Sequence, residues 1–270
     1  MTEFNVLGPL EVLNGDRVCT PSPPKVRSVL ALLLLCANRD VLVESIIQEL
    51  WGDESLKSAV TTVQTYIYHL RKVFAQEHLE TPGRKILISR ARGYVLRVEE
   101  GQLDAEVFQT LVREGRRHMA AGRPELGTKA LRRALALWRG PALADVTLGR
   151  ALEAHVIHLE EQRIRALELR IQADMELGLH RELVGELRFL VATNPLNEWF
   201  HRQLIWTLGR CGRRSEALQA YQSLRRTLNE ELGLDPSPDL QRLHQEVLSV
   251  GHPEAGARHL RAETRLLAAS

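Results

Sequence analysis

Cysteine is scarce in this 270-residue chain, with only Cys19, Cys36 and Cys211. They are far apart and odd in number, which excludes a disulfide framework and the paired spacings of a zinc site. Cys36 falls in an apolar helical stretch and reads as core. Long hydrophobic runs are missing as well. The stretch Val29–Leu35 is too short to span a bilayer and follows Lys25 and Arg27, so neither a transmembrane helix nor a signal peptide is expected. Together these absences indicate a reducing, cytoplasmic setting without membrane attachment. There is no Walker signature, no GxGxxG loop and no serine or cysteine in a nucleophile-elbow context. His155 and His158 stand three apart on a charged helix without a third ligand, the pattern of surface or packing histidines. No catalytic set, metal site or cofactor is expected. Net charge is only +2, so any polyanion partner must be met by local charge.

The hydrophobic fraction, 44%, can fill real cores, and the length suits two domains. The most informative stretch is Val63 to Phe74. Val63, Ile67, Leu70 and Phe74 recur at helical spacing and share one face. Thr61, Thr65, Tyr68 and Lys72 occupy the opposite face, flanked by Gln64, His69 and Arg71. Soon after, Ile86-Leu-Ile-Ser89 and Tyr94-Val-Leu96 form two β-rich runs around a basic tip, Arg90-Ala-Arg92-Gly93. A helix followed by a basic hairpin is the grip of a winged helix-turn-helix on DNA. From Arg71 to Arg97 there are seven basic residues and two acids, a local excess in the segment expected to face a polyanion.

Ahead of this stretch, Phe4 to Val12 alternates loosely and ends at Asn14-Gly15, a hairpin signal, with Arg17 to Thr20 returning. Pro24 suits the first turn of a helix running to about Ala37. A second helix covers Val43 to Leu50, and Ser58 is a plausible N-cap for the third. After Glu99 to Gly101 nearly everything has helical period. Helices are expected at 104–121, 125–138, 147–177, 180–192, 197–210, 214–231 and 237–249, with Gly and Pro between them. Gly178 to Leu183 and Gly212 to Ala217 match 34 residues apart, the period of tetratricopeptide repeats. Two unrelated helix pairs would also fit. The expected fold is mainly α. A winged helix-turn-helix domain (1–98), with a small sheet and wing hairpin, precedes an all-α tetratricopeptide-like helical repeat domain (103–249). A flexible tail (250–270) follows, with a short helix at Arg258 to Leu267 as an option.

On a DNA-binding helix these residues have distinct uses. Gln64 pairs bidentately with adenine, and Thr65 sets its methyl against that of thymine. Tyr68 reaches a phosphate or an apolar base edge, and His69 a guanine or a phosphate. Arg71, Lys72 and Lys25 suit phosphates, which position without specifying. Arg90 or Arg92 suits a narrow A·T-rich minor groove.

Several motifs, in order, resemble a known family. They are Phe4-Asn-Val-Leu-Gly-Pro-Leu-Glu-Val12, Leu50-Trp-Gly-Asp53, Arg92-Gly-Tyr94, Glu216-Ala-Leu-Gln-Ala-Tyr221 and Glu231-Leu-Gly-Leu-Asp-Pro-Ser-Pro238. The first part resembles an OmpR-type winged helix and the last a bacterial transcriptional activation domain. In this order, over about residues 3 to 249, they resemble the Streptomyces antibiotic regulatory protein family. The resemblance implies a pathway-specific activator of antibiotic biosynthesis genes. Such a protein would bind direct repeats in double-stranded DNA near the −35 element, as a homodimer or head-to-tail pair, and recruit RNA polymerase. Base and phosphate contacts would come from Thr61 to Lys72, Thr62 included. The loop Trp51 to Ser58, with Trp51, Asp53, Glu54 and Leu56, would touch the polymerase, through its sigma factor. Tyr68-His69 departs from the small and basic residues common there in the family. Other classes stay open at this point: a helical scaffold or ligand sensor, and a repressor with the same DNA grip.

Overall fold

The computed structural model describes residues 2–54, 58–80 and 85–249. The tail from 250 onward, Arg84 and three residues of the expected polymerase loop, Ser55, Leu56 and Lys57, lie outside them. The chain divides into two compact units. One comprises Met1–Gly115 with Lys129–Glu168, the other Arg116–Thr128 with the chain from Leu169 onward.

The first unit opens with an antiparallel meander of β1 (Thr2–Asn5), β2 (Glu11–Asn14) and β3 (Arg17–Val18). Phe4 faces Val12, so the loosely alternating stretch is two strands folded back on each other rather than one. The expected hairpin turns at Gly15, with φ of 60°, where a residue without Cβ is unstrained. Helix α1 (Pro24–Leu35) starts on its proline as expected and stops two residues early. Cys36 is its C-cap and only half-buried, so it is not core. β4 (Val41–Leu42) and α2 (Val43–Trp51) follow, then α3 (Ala59–Gln76). Ser58 precedes α3 but its side chain makes no capping bond; its carbonyl instead accepts from the Thr62 hydroxyl at 3.0 Å.

The wing is β5 (Leu87–Ser89) and β6 (Gly93–Leu96), antiparallel as expected. The two-residue β4 was not foreseen. It pairs with β6 to make a three-stranded sheet in the order β4-β6-β5. Gly93 matters here through close approach, not through unusual backbone angles. A Cβ on it would stand 2.0 Å from the Val41 carbonyl oxygen. Val29, Leu30, Leu33, Ile46, Val63, Ile67, Leu70 and Phe74 are all at most 1% exposed and form the core of the helices.

Two buried carboxylates tie the first unit together across long stretches of chain. Asp104, at the start of α4 (Asp104–Ala120), accepts the backbone N–H of Val6 and Leu7 at 2.9 Å. Glu49 in α2 accepts the N–H groups of Gly149, Ala151 and Leu152, at 2.5, 2.8 and 3.2 Å. These are the unsatisfied donors at the start of α6 (Arg150–Glu176), where a negative charge is favoured. Burying a carboxylate without such partners would cost several kcal/mol. Gly149 is needed because a Cβ there would lie 2.1 Å from the Glu49 carbonyl oxygen.

The second unit is helical. α8 (Glu198–Arg210) packs on α7 (His180–Thr193) and α9 (Arg214–Leu232), and α10 (Pro238–Leu248) packs on α8 and α9. The two matched segments do take the same local form. Gly178 and Gly212 have φ of 78° and 75°, and Leu183, Leu187 and Leu190 are buried like Ala217, Tyr221 and Leu224. The same turn occurs a third time ahead of α5 (Pro124–Leu135), at Gly122 with φ of 66°. In all three the next residue donates to the carbonyl five back: Arg123 to His118, Leu179 to Asp174, Arg213 to Leu208. Helices α5 and α6 are shorter than expected, ending at Leu135 and starting at Arg150. Among the described residues no helix is long and apolar enough to cross a membrane.

Candidate nucleic-acid interface

Helix α3 buries Val63, Ile67, Leu70 and Phe74 and leaves Val60, Thr61, Gln64, Thr65, Tyr68, His69 and Lys72 exposed. No Asp or Glu occurs between Ala59 and Gln76. The expected face therefore exists as a continuous, acid-free surface. Its threonines are less polar than their composition suggests. The Thr65 hydroxyl donates to the Thr61 carbonyl at 3.0 Å, as Thr62 does to Ser58, which uses their protons within the helix. Tyr68 is 64% exposed, its ring centroid 6.2 Å from that of His69.

The wing root is tied to this helix. The Arg71 guanidinium donates to the Ser89 hydroxyl at 2.9 Å and reaches the Leu87 carbonyl at 3.5 Å. Arg71 is half-buried and orients β5 as well as adding charge, a role its position as a flanking residue did not reveal. Both acids of the Arg71–Arg97 segment already have partners. Glu77 pairs with Arg17 at 3.1 Å, and Glu80 accepts the N–H of Ile86 at 3.0 Å. At the wing tip Arg90 lies 3.6 Å from Asp40, both well exposed. Exposed surface pairs of this kind hold weakly. Arg92 is exposed, and its backbone carbonyl accepts from Val43 at 3.0 Å.

Lys25 is placed differently from the expected phosphate anchor. Its ammonium donates to the Leu50 carbonyl at the end of α2 and sits 5.9 Å from the Trp51 ring centroid. Trp51 is stacked on Tyr66, with ring centroids 6.4 Å apart and planes 19° apart. Lys25, Trp51 and Tyr66 thus brace the turn that follows α2. In that turn Asp53 and Glu54 are exposed, and the Gln48 amide lies 3.4 Å from the Asp53 carboxylate. No group of three or more His, Cys, Asp or Glu that could hold a metal occurs among the described residues.

Residues 103–248 match the bacterial transcriptional activator domain. Residues 20–96 match the transcriptional regulatory protein, C-terminal family. The chain is 39% identical over 250 residues to the regulatory protein DnrI of Streptomyces peucetius, covering 91% of this chain and 92% of DnrI. It belongs to the Streptomyces antibiotic regulatory protein family of transcriptional activators. The regulatory protein AfsR of Streptomyces griseus is 36% identical, but the chain spans only 24% of its length. Among solved structures, Mycobacterium tuberculosis EmbR in complex with a low affinity phosphopeptide superposes with a TM-score of 0.89 at 29% identity. That match covers 99% of this chain and 69% of the EmbR chain. The regulator family has a winged helix followed by a helical domain, and the function is transcriptional regulation rather than catalysis.

Membership in this family directs attention to α3 residues that composition alone had passed over. Val60 is 52% exposed at the start of the helix, one turn before Gln64. Its spacing from Gln64 and Tyr68 was the available signal. Ser89 was also unmarked, and nothing local in the sequence pairs it with Arg71.

Proposed function

We propose that this regulator is a sequence-specific activator that seats α3 in the major groove of double-stranded DNA. The β5–β6 wing lies on the adjacent backbone or minor groove, through Arg90 and Arg92. Thr61, Thr62, Gln64, Thr65, Tyr68 and His69 meet bases and nearby phosphates, and Arg71 and Lys72 meet phosphates. Lys25 serves the site from behind, as a brace. Two copies bind direct repeats near the −35 element in head-to-tail order, and the exposed Asp53-Glu54 turn with Leu56 meets a basic surface of the polymerase sigma factor. The domain assignment 1–98 and 103–249 belongs to the same proposal. The observation that carries it is the acid-free outward face of α3, bonded to the wing root through Arg71 and Ser89.

Binding to promoter fragments over a range of salt tests this. Lys72→Ala should flatten the slope of log K against log salt by about one unit, the loss of one phosphate contact. Arg71→Ala should do the same and also lose wing contacts. Unchanged slopes in both variants would remove these residues from the interface. In a purified transcription system, alanine at Asp53, Glu54 and Leu56 together should leave operator binding intact and abolish activation. Full activation by that variant would move the polymerase contact elsewhere.

A further inference from the structure

We propose that Val60 and Tyr68 read the methyl groups of two thymines three to four base pairs apart, with Gln64 facing the pairs between. The inference rests on the DNA-binding function proposed above. Val60, Gln64 and Tyr68 are spaced by four residues each and lie in one row along α3. Val60 is 52% exposed and Tyr68 64%, whereas Val63, Ile67, Leu70 and Phe74 on the inner face are at most 1% exposed. A single exposed apolar residue is ordinary on a protein surface. Two on one line, either side of the one amide in that row, form a pattern.

The neighbouring groups push the chemistry the same way. The Thr62 and Thr65 hydroxyls donate back to Ser58 and Thr61 at 3.0 Å, so neither has a proton left for a base. With no acid on the helix, no carboxylate is there to accept from the exocyclic amine of cytosine. Along the row itself, Val60, Gln64 and Tyr68 offer aliphatic and aromatic carbon around one amide. In the major groove only thymine presents a methyl group, and an amide side chain pairs bidentately with adenine. Val60 is the second residue of the helix, in the segment that points into the groove in helix-turn-helix proteins. Eight residues of α-helix rise about 12 Å. Base pairs stack about 3.4 Å apart, so the two apolar groups span roughly three to four pairs.

The test removes the methyl from each side in turn. The operator is first mapped by footprinting with the full chain, and each thymine is then replaced singly by deoxyuridine, which lacks only that methyl. Binding is measured for the unaltered chain, Val60→Ala and Tyr68→Ala. The unaltered chain should lose about three- to fourfold in affinity at two deoxyuridine positions three to four pairs apart, the worth of one apolar carbon. Val60→Ala should be indifferent to deoxyuridine at one of these positions and Tyr68→Ala at the other. Additive losses everywhere, or no loss at any deoxyuridine, would overturn the inference while leaving operator binding in place. Failure of the unaltered chain to bind any promoter fragment specifically would overturn the DNA-binding function and this inference with it.

Discussion

Helices α3 and α9 are nearly the same object seen from inside. They have 18 and 19 residues, and each buries a stripe of apolar side chains at helical spacing. Their outward faces differ. α9 exposes Arg214, Arg225, Arg226, Glu230 and Glu231 among polar residues, and its one large exposed apolar group, Leu232, comes at its last position. α3 exposes Val60 and Tyr68 along its length and carries no acid. The α9 face mixes both signs of charge, which water solvates well. The α3 face is suited to an anionic surface with apolar edges. The inner stripe accounts for the fold, and the outer face indicates what the helix meets.

Giving α3 a carboxylate should disable it. Thr65→Glu should cost at least about a hundredfold in promoter affinity, since like charges brought together at an interface cost several kcal/mol. Its unfolding free energy should stay within about 0.5 kcal/mol of the parent, as at other exposed positions. Gln222→Glu on α9 should leave DNA binding unchanged. Equal losses from both variants, in a gel-shift titration, would erase the distinction between the two faces.

The inner faces should respond alike. Leu70→Ala and Leu224→Ala each empty a fully buried site, and each should destabilise its unit by roughly 2–5 kcal/mol in urea unfolding. A loss below about 1 kcal/mol in one of them would show that its stripe is not a packed core.

A case between these extremes lies on α6. Burial raises the Glu168 carboxyl to about 7 from its ordinary 4.5; Glu161 adds to the shift and Arg165 opposes it. The folded chain therefore holds this proton where the unfolded chain has released it. Its contribution to stability is full below about 4.5 and is lost as pH rises towards 7. Urea midpoints should fall between about pH 5 and about pH 8, and Glu168→Gln should flatten that fall. An identical pH dependence in the variant would remove Glu168 as its source.

The smallest effect concerns how the two helices end. α9 closes on Gly233 with φ of 67°, whereas the left-handed position after α3 is taken by His78 with φ of 51°. A side chain there is strained against the following carbonyl. His78→Gly should raise stability by about 1 kcal/mol in thermal or urea unfolding without changing the salt slope for DNA. A decrease in stability would mean that the imidazole makes contacts worth more than the strain.

The features legible in the sequence share a physical basis. The stripe of α3, the hairpin at Asn14-Gly15, the proline start of α1 and the glycine turns at 178 and 212 all depend on periodicity or on one residue's backbone preference. These are set within a few neighbouring positions. The Ser58 cap failed because its backbone, at φ -101° and ψ 10°, is not in the extended conformation from which an N-cap side chain reaches the first turn.

The sequence by itself thus determined where helices form, which face of α3 turns inward and which is left exposed. Tertiary structure alone decided that Lys25 supports Leu50 and Trp51 instead of facing outward, and that Arg71 holds Ser89. It also decided that β4 joins the wing across a glycine, and that Glu49 caps a helix a hundred residues later. Each of these joins groups distant in the chain. Their energy depends on burial and on partners brought close only by the finished fold, and no local pattern carries that information.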